Sequence, residues 1–172
     1  MMESTKSNQA LEYASYPAPW GDIWIARLNE KICYVSLKSK KPLLDWAKKN
    51  KFSLTVKKPD SNLQKQLKEY FLGKRQHFDY PCLFLTGTAF QQKVWKALQK
   101  IPYGRCISYK ELAQKIHHPS ATRAVGNANG KNCLPLFIPC HRVIESNGGL
   151  GGFSCGLPIK KILLKTEGFE KI

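Results

Sequence analysis

TAFQQKVWKALQKIPYGRCISYKELAQKIHHPSATRAVGNANG, residues 88–130, contains three helical stretches separated by two breaks. Thr88 stands in a capping position. Phe90, Val94, Trp95 and Leu98 follow at the helical period until Ile101-Pro102-Tyr103-Gly104 ends the run. Ser108-Tyr109-Lys110-Glu111 has the spacing of a reciprocal capping box, in which hydroxyl and carboxylate each satisfy a backbone N–H of the other's turn. Leu112, Ala113 and Ile116 form the apolar side of that second helix. Beyond His117-His118-Pro119 a third helix is predicted from Ser120, carrying Ala121, Ala124, Val125 and Ala128 with the small Gly126 and Gly130. Two short helices joined by a proline turn have the pattern of a helix-turn-helix, whose second helix enters a DNA groove. Arg123 is the only charge on that second helix, flanked by Thr122 and Ala124, and its small neighbours suit close apposition to something flat.

Upstream the pattern changes to strands. Leu11–Ser15, Asp22–Leu28 and Lys31–Leu37 read as a meander, interrupted by a Tyr16-Pro17-Ala18-Pro19-Trp20-Gly21 break and an Asn29-Glu30 turn. Pro42 starts a short helix with Leu43, Leu44 and Ala47 on one side, and Phe52–Val56 alternates like a half-buried strand. From Asp60, a helix with Leu63, Leu67, Tyr70 and Phe71 runs to Gly73, which suits a C-terminal stop. Residues 74–87 show no helical period. The expected class is α+β: a small mixed N-terminal domain (1–80) packed on a helical C-terminal domain (87–172) with a winged helix-turn-helix-like motif.

Twenty-eight Lys and Arg against 12 Asp and Glu leave a net charge of +16, which favours a polyanionic partner because each neutralised phosphate releases counterions. No apolar run reaches the roughly 18 residues of a membrane span, and residues 1–15 have no apolar signal core. A cytoplasmic protein is expected, or a nuclear one in a eukaryotic host. The six cysteines form no CxxC and the four histidines no zinc-finger spacing with them, so most thiols are expected to be small buried hydrophobes.

The chemistry gathers in Asn132–Val143, NCLPLFIPCHRV, where Pro135 and Pro139 interrupt an apolar run that delivers Cys140, His141 and Arg142. An adjacent base makes a thiol a nucleophile. Neighbours in a strand face opposite ways, so His141 can serve Cys140 only if the backbone turns there, as the prolines permit. The Gly-rich Ser146–Ser154 segment lacks the GK[ST] of a phosphate loop.

Pro139-Cys140-His141-Arg142-Val143 after Ile138, with Arg123-Ala124-Val125-Gly126 upstream, resembles the signature of the O6-alkylguanine-DNA alkyltransferases. Ile107-Ser108-Tyr109, Asn132, Pro135, Ser154 and Glu167 occur in that family's order, so the resemblance spans about residues 87–168. It implies that Cys140 accepts the alkyl group, that Glu167 holds His141, and that His141 draws the thiol proton through a water. Asn132 then pins the turn before the cysteine. Arg123, with Thr122 and Ala124, enters the DNA and fills the place of an extruded nucleotide, and Tyr109 helps rotate that nucleotide and protonates the leaving guanine. Pro135, Val143, Phe153 and Ser154 form the base pocket, with the Cys140 and Val143 carbonyls facing the guanine amino group. Phe153 replaces the family's more familiar tyrosine.

The partner implied is double-stranded DNA carrying O6-alkylguanine, and O4-alkylthymine beside it. The protein is expected to be a monomer with no cofactor and no metal. The rival expectation is a non-catalytic protein that only flags alkylated DNA; such relatives lack the cysteine.

Overall fold

The computed structural model of the protein describes residues 10–169. The first nine residues, on which the expectation of no signal partly rests, lie outside the described residues, as do the outer ends of the two expected domains.

Four strands form one sheet: β1 (Ala10–Ala18), β2 (Gly21–Leu28), β3 (Lys31–Ser36) and β4 (Ser53–Val56), in the order β3-β2-β1-β4. The first three pair antiparallel, and β4 adds parallel to β1, with Leu11 opposite Leu54. The expected break at Tyr16 is instead strand, because the β1 ladder runs on through Tyr16↔Ile23 and Pro17↔Asp22 to Ala18↔Gly21. Pro17 lacks an N–H to give, and the strand tolerates it near its end, where the hairpin closes.

Helix α1 (Lys41–Lys49) buries Leu43 and Ala47 but leaves Leu44 exposed, so the apolar side is narrower than the sequence pattern implied. Helix α2 (Ser61–Phe71) is capped by Asp60, whose carboxylate accepts from Leu63 N, and it ends at Gly73 with φ of +70°. The Lys74 N–H reaches back to Glu69 O and the Gly73 N–H to Tyr70 O, a closing pattern that favours glycine.

In the C-terminal half, α3 (Ala89–Leu98) and α4 (Tyr109–Lys115) each carry a complete capping box, Thr88/Gln91 and Ser108/Glu111. Helix α5 spans Thr122–Gly130; Ser120 lies before it, and Ala121 at its N-cap gives no side-chain hydrogen bond. The parallel two-residue strands β5 (Ile107–Ser108) and β6 (Val143–Ile144) tie the start of α4 to the residues just after Cys140. With α4 and α5 as the helix pair and the segment after β6 beside them, the C-terminal half has the expected winged helix-turn-helix-like layout. Helix α6 (Leu157–Thr166) closes the chain over this half.

The sheet has an apolar face on each side. Leu11, Tyr13, Ala26 and Cys33 meet Leu43 of α1 on one side. On the other, Tyr16, Ile23, Ile25 and Val35 join Leu63 and Leu67 of α2 and Val94, Trp95, Leu112, Val125 and Leu163 of the C-terminal half in one continuous core. The two halves therefore share a buried interior, tied across by Val35 N donating to Cys133 O.

Candidate active site

The approach to Cys140 is a series of tight turns. The Asn132 amide nitrogen donates to Ile138 O at 2.9 Å, while its oxygen accepts from Leu134 N at 3.0 Å. Asn132 thus clamps the 132–138 loop. Pro139 then adopts φ −79° and ψ 65°, and the Cys140 N–H closes onto Ile138 O, the geometry of an inverse γ-turn. Cys140–Arg142 follow as a single 3-10 turn. The backbone turn that His141 needed is therefore present.

His141 is fully buried, and its Nε2 lies 2.8 Å from Glu167 Oε1. An ionised carboxylate can only accept, so Nε2 carries the proton and Nδ1 holds the lone pair. That Nδ1 has no hydrogen-bond partner among the described residues. Burial, opposed by Glu167, holds the imidazole below its ordinary 6.5, so it is neutral and can take a proton.

Glu167, at the C-cap of α6, is 4% exposed and receives five donors. Tyr70 OH (2.6 Å), His141 Nε2 and Arg142 Nη2 (2.9 Å) converge on Oε1, and Arg142 Nε (2.8 Å) and Gly104 N (3.2 Å) on Oε2. Burial alone would raise its carboxyl, but the hydrogen bonds and charges of His141 and Arg142 win and hold it far below the carboxylate range. Gly104 is required by shape: its φ is +70° and a Cβ there would meet the Glu167 carbonyl at 2.9 Å.

The Cys140 thiol is 2% exposed, and burial pushes it up to about 12 against the favourable pull of Asn132 and Lys160. An adjacent base raises the thiolate fraction, and here desolvation works against it. The other cysteines, all free, are also pushed up, Cys33 and Cys82 to about 12, Cys106 and Cys133 to about 11, and Cys155 in the same direction. What singles out Cys140 is thus its neighbour His141 with an unpaired Nδ1.

Beside the nucleophile turn, a cleft of about 470 Å³ is lined by Tyr109, Thr122, Arg123, Gly126, Asn129, Phe153 and Ser154 among others. Arg123 is exposed at the first turn of α5, and Ala124 is exposed too but does not line the cleft. Tyr109, the first residue of α4, donates to Gly152 O at 3.2 Å, and a Cβ on Gly151 (φ +66°) would strike its ring at 2.9 Å. The glycine loop therefore wraps the tyrosine.

Three of the expected pocket groups do not line this cleft. Pro135 is buried and lines a neighbouring cleft between the two halves, because the 132–138 reversal, closed by the Pro135–Ile138 bridge, turns it that way. Val143 is buried and lines none of the clefts described for the residues above; its carbonyl already accepts from Lys160 Nζ at 2.6 Å. The Cys140 carbonyl accepts from the Asn129 amide at 3.4 Å. Buried carbonyls take the nearest buried donors, since no water is there to serve them.

Sequence reasoning missed Tyr70, Arg142, Asn129 and Lys160 as site residues. Lys160 is wholly buried with no carboxylate partner among the described residues; it donates to Val143 O and to Leu150 O of the glycine loop, and burial lowers it to about 8. A lysine at the helical period's buried positions in α6 was the available signal. Among the described residues no group of three or more His, Cys, Asp or Glu is arranged to hold a metal ion.

Residues 89–169 match the profile of the 6-O-methylguanine DNA methyltransferase, DNA binding domain, and residues 11–84 that of the 6-O-methylguanine DNA methyltransferase, ribonuclease-like domain. A methylated-DNA–protein-cysteine methyltransferase of Methanosarcina acetivorans is 41% identical over 160 residues, covering 91% of this chain and 97% of its own. The chain belongs to the 6-O-methylguanine DNA methyltransferase family. A second relative, the constitutive methylated-DNA–protein-cysteine methyltransferase of Bacillus subtilis, is 43% identical over 159 residues, 90% of this chain and 94% of that one. Among solved structures of the family, Mycobacterium tuberculosis OGT in complex with DNA superposes with a TM-score of 0.80 at 35% identity, over 91% of this chain and 93% of that one. The methyltransferase of Pyrococcus kodakaraensis superposes at 0.71 with 25% identity, over 92% and 99%.

Proposed function

We propose that this member of the 6-O-methylguanine DNA methyltransferase family repairs DNA by moving the alkyl group from O6 of a guanine, or from O4 of a thymine, onto Cys140. The observation that carries the reading is the buried Cys140-His141-Glu167 arrangement with Nδ1 of His141 unpaired, beside a cleft whose rim holds Arg123. His141 takes the thiol proton through a bridging water, and Glu167 balances the imidazolium. The sulfur then attacks the alkyl carbon. The S–C bond forms, the C–O6 bond breaks, and its electron pair returns to the guanine ring, which gains a proton from the Tyr109 phenol; the relay restores that proton.

The target atom lies inside a duplex, so the nucleotide leaves the stack before reaction. Arg123, exposed at the first turn of α5, fills the gap from the minor groove, with Thr122 and Ala124 against the backbone. Phe153 and Ser154 border the base, and Asn132 keeps the nucleophile turn closed. The protein acts as a monomer, residues 1–80 and 87–172 being its two domains, in the cytoplasm or the nucleus with the DNA it repairs. The thioether has no route for departure, so each molecule reacts once.

The test is the intact mass after incubation with a duplex bearing one O6-methylguanine. One added methyl, localised to Cys140 and absent in Cys140→Ala, is expected; binding without a mass change would overturn transfer in favour of lesion flagging.

A further inference from the structure

Between the two halves lies a second cleft of about 690 Å³. It meets the Arg123 cleft at Gly130 and Ser154, which line both. Lys38 after β3, Lys49 at the end of α1 and Lys131 at the end of α5 stand exposed along it, and no Asp or Glu lines it. None of the three lysines has a carboxylate partner among the described residues, although Lys41, Lys57 and Lys65 elsewhere do. Tyr34 and Trp46, stacked with centroids 4.5 Å apart, form part of its wall. Three unpaired cations beside an aromatic surface, in a channel that opens from the Arg123 cleft, form a track for a sugar-phosphate strand.

We propose that this interdomain groove is a second DNA contact, carrying the strand that leaves the Arg123 cleft, with Lys38, Lys49 and Lys131 on its phosphates. The proposal rests on the reading of the Arg123 cleft as the DNA site. It gives the N-terminal half a role in holding DNA, since Lys38 and Lys49 belong to that half. Phosphate contacts are read by salt: each one contributes about 0.9 to the slope of log affinity against log salt.

The experiment compares duplex affinity over a salt series for the wild type, for Lys38→Gln/Lys49→Gln/Lys131→Gln, and for Lys58→Gln/Lys65→Gln/Lys68→Gln. The last variant removes the same charge from the β4–α2 side, and thermal unfolding confirms that each is folded. The groove variant should lose about 2 to 3 units of slope, and the control variant none. Equal slopes in the two variants would overturn the groove, since the effect would then be one of net charge alone. The intact mass of the wild type after incubation with a duplex bearing one O6-methylguanine tests the transfer reaction separately; no methyl gained at Cys140 would overturn the proposed function and leave the salt slopes to judge the groove.

Discussion

Glu167 concentrates the site's electrostatics in one side chain. Its carboxylate is buried with Arg142 and His141, so replacing it by Gln leaves a buried guanidinium without its counter-charge, which costs about 3–5 kcal/mol where such pairs have been broken. Glu167→Gln should therefore lower both stability, measured by denaturant unfolding, and the rate of alkyl transfer. The pH dependence has a definite sign. Because the folded carboxyl is held below its ordinary 4.5, the stability it contributes is complete above that value and is lost as pH falls below it. Acid unfolding of the wild type should steepen below about pH 4.5, and Glu167→Gln should flatten that limb. The same slope in both proteins would mean that other carboxylates govern acid stability. Glu167 was singled out in the sequence only through family resemblance, since a lone acid after the last helix shows nothing of the five donors that meet it.

At the scale of elements, α5 is where the proposed function separates delivery of the base from chemistry on it. Its caps are weak and its side chains small, so its position comes from packing of Val125 and Ala128 against α3 and α4. Arg123 points outward from a helix already held by that packing, and its removal leaves the core intact. Arg123→Ala should slow transfer from duplex DNA steeply, by the share of an unstacking cost of a few kcal/mol that the guanidinium offsets. Transfer from free O6-benzylguanine should be nearly unchanged. Paired rates on the two substrates at one salt concentration check this, and equal losses would assign Arg123 to the pocket. The helices themselves were readable in advance because their capping boxes and apolar periods agree, whereas β1 ran three residues past its expected end because ladder pairing with β2 outweighed the turn signal of Pro17.

Across the whole molecule, the tie between halves passes through Tyr70. Its hydroxyl crosses 97 positions of sequence to reach Glu167, so α2 of the N-terminal half supports a buried carboxylate of the other. Burial and the Glu167 charge keep that phenol protonated, and it remains a donor at any working pH. Tyr70→Phe removes one hydrogen bond to a charged acceptor and should cost about 1.5–3 kcal/mol of stability. Chemical denaturation checks this, and a change under half a kilocalorie would show that the remaining donors suffice. By itself the sequence determined the class of fold, the capped starts of α3 and α4, and Cys140 with His141 as the pair to examine, because capping, periodicity and a proline-framed Cys-His pair are local signals. The tertiary structure decided that Tyr70, Gly104 and Arg142 meet on one carboxylate, that Pro135 faces the interdomain groove, and that the thiol rests protonated. Those outcomes depend on which distant groups share a space without water, and no local pattern encodes that.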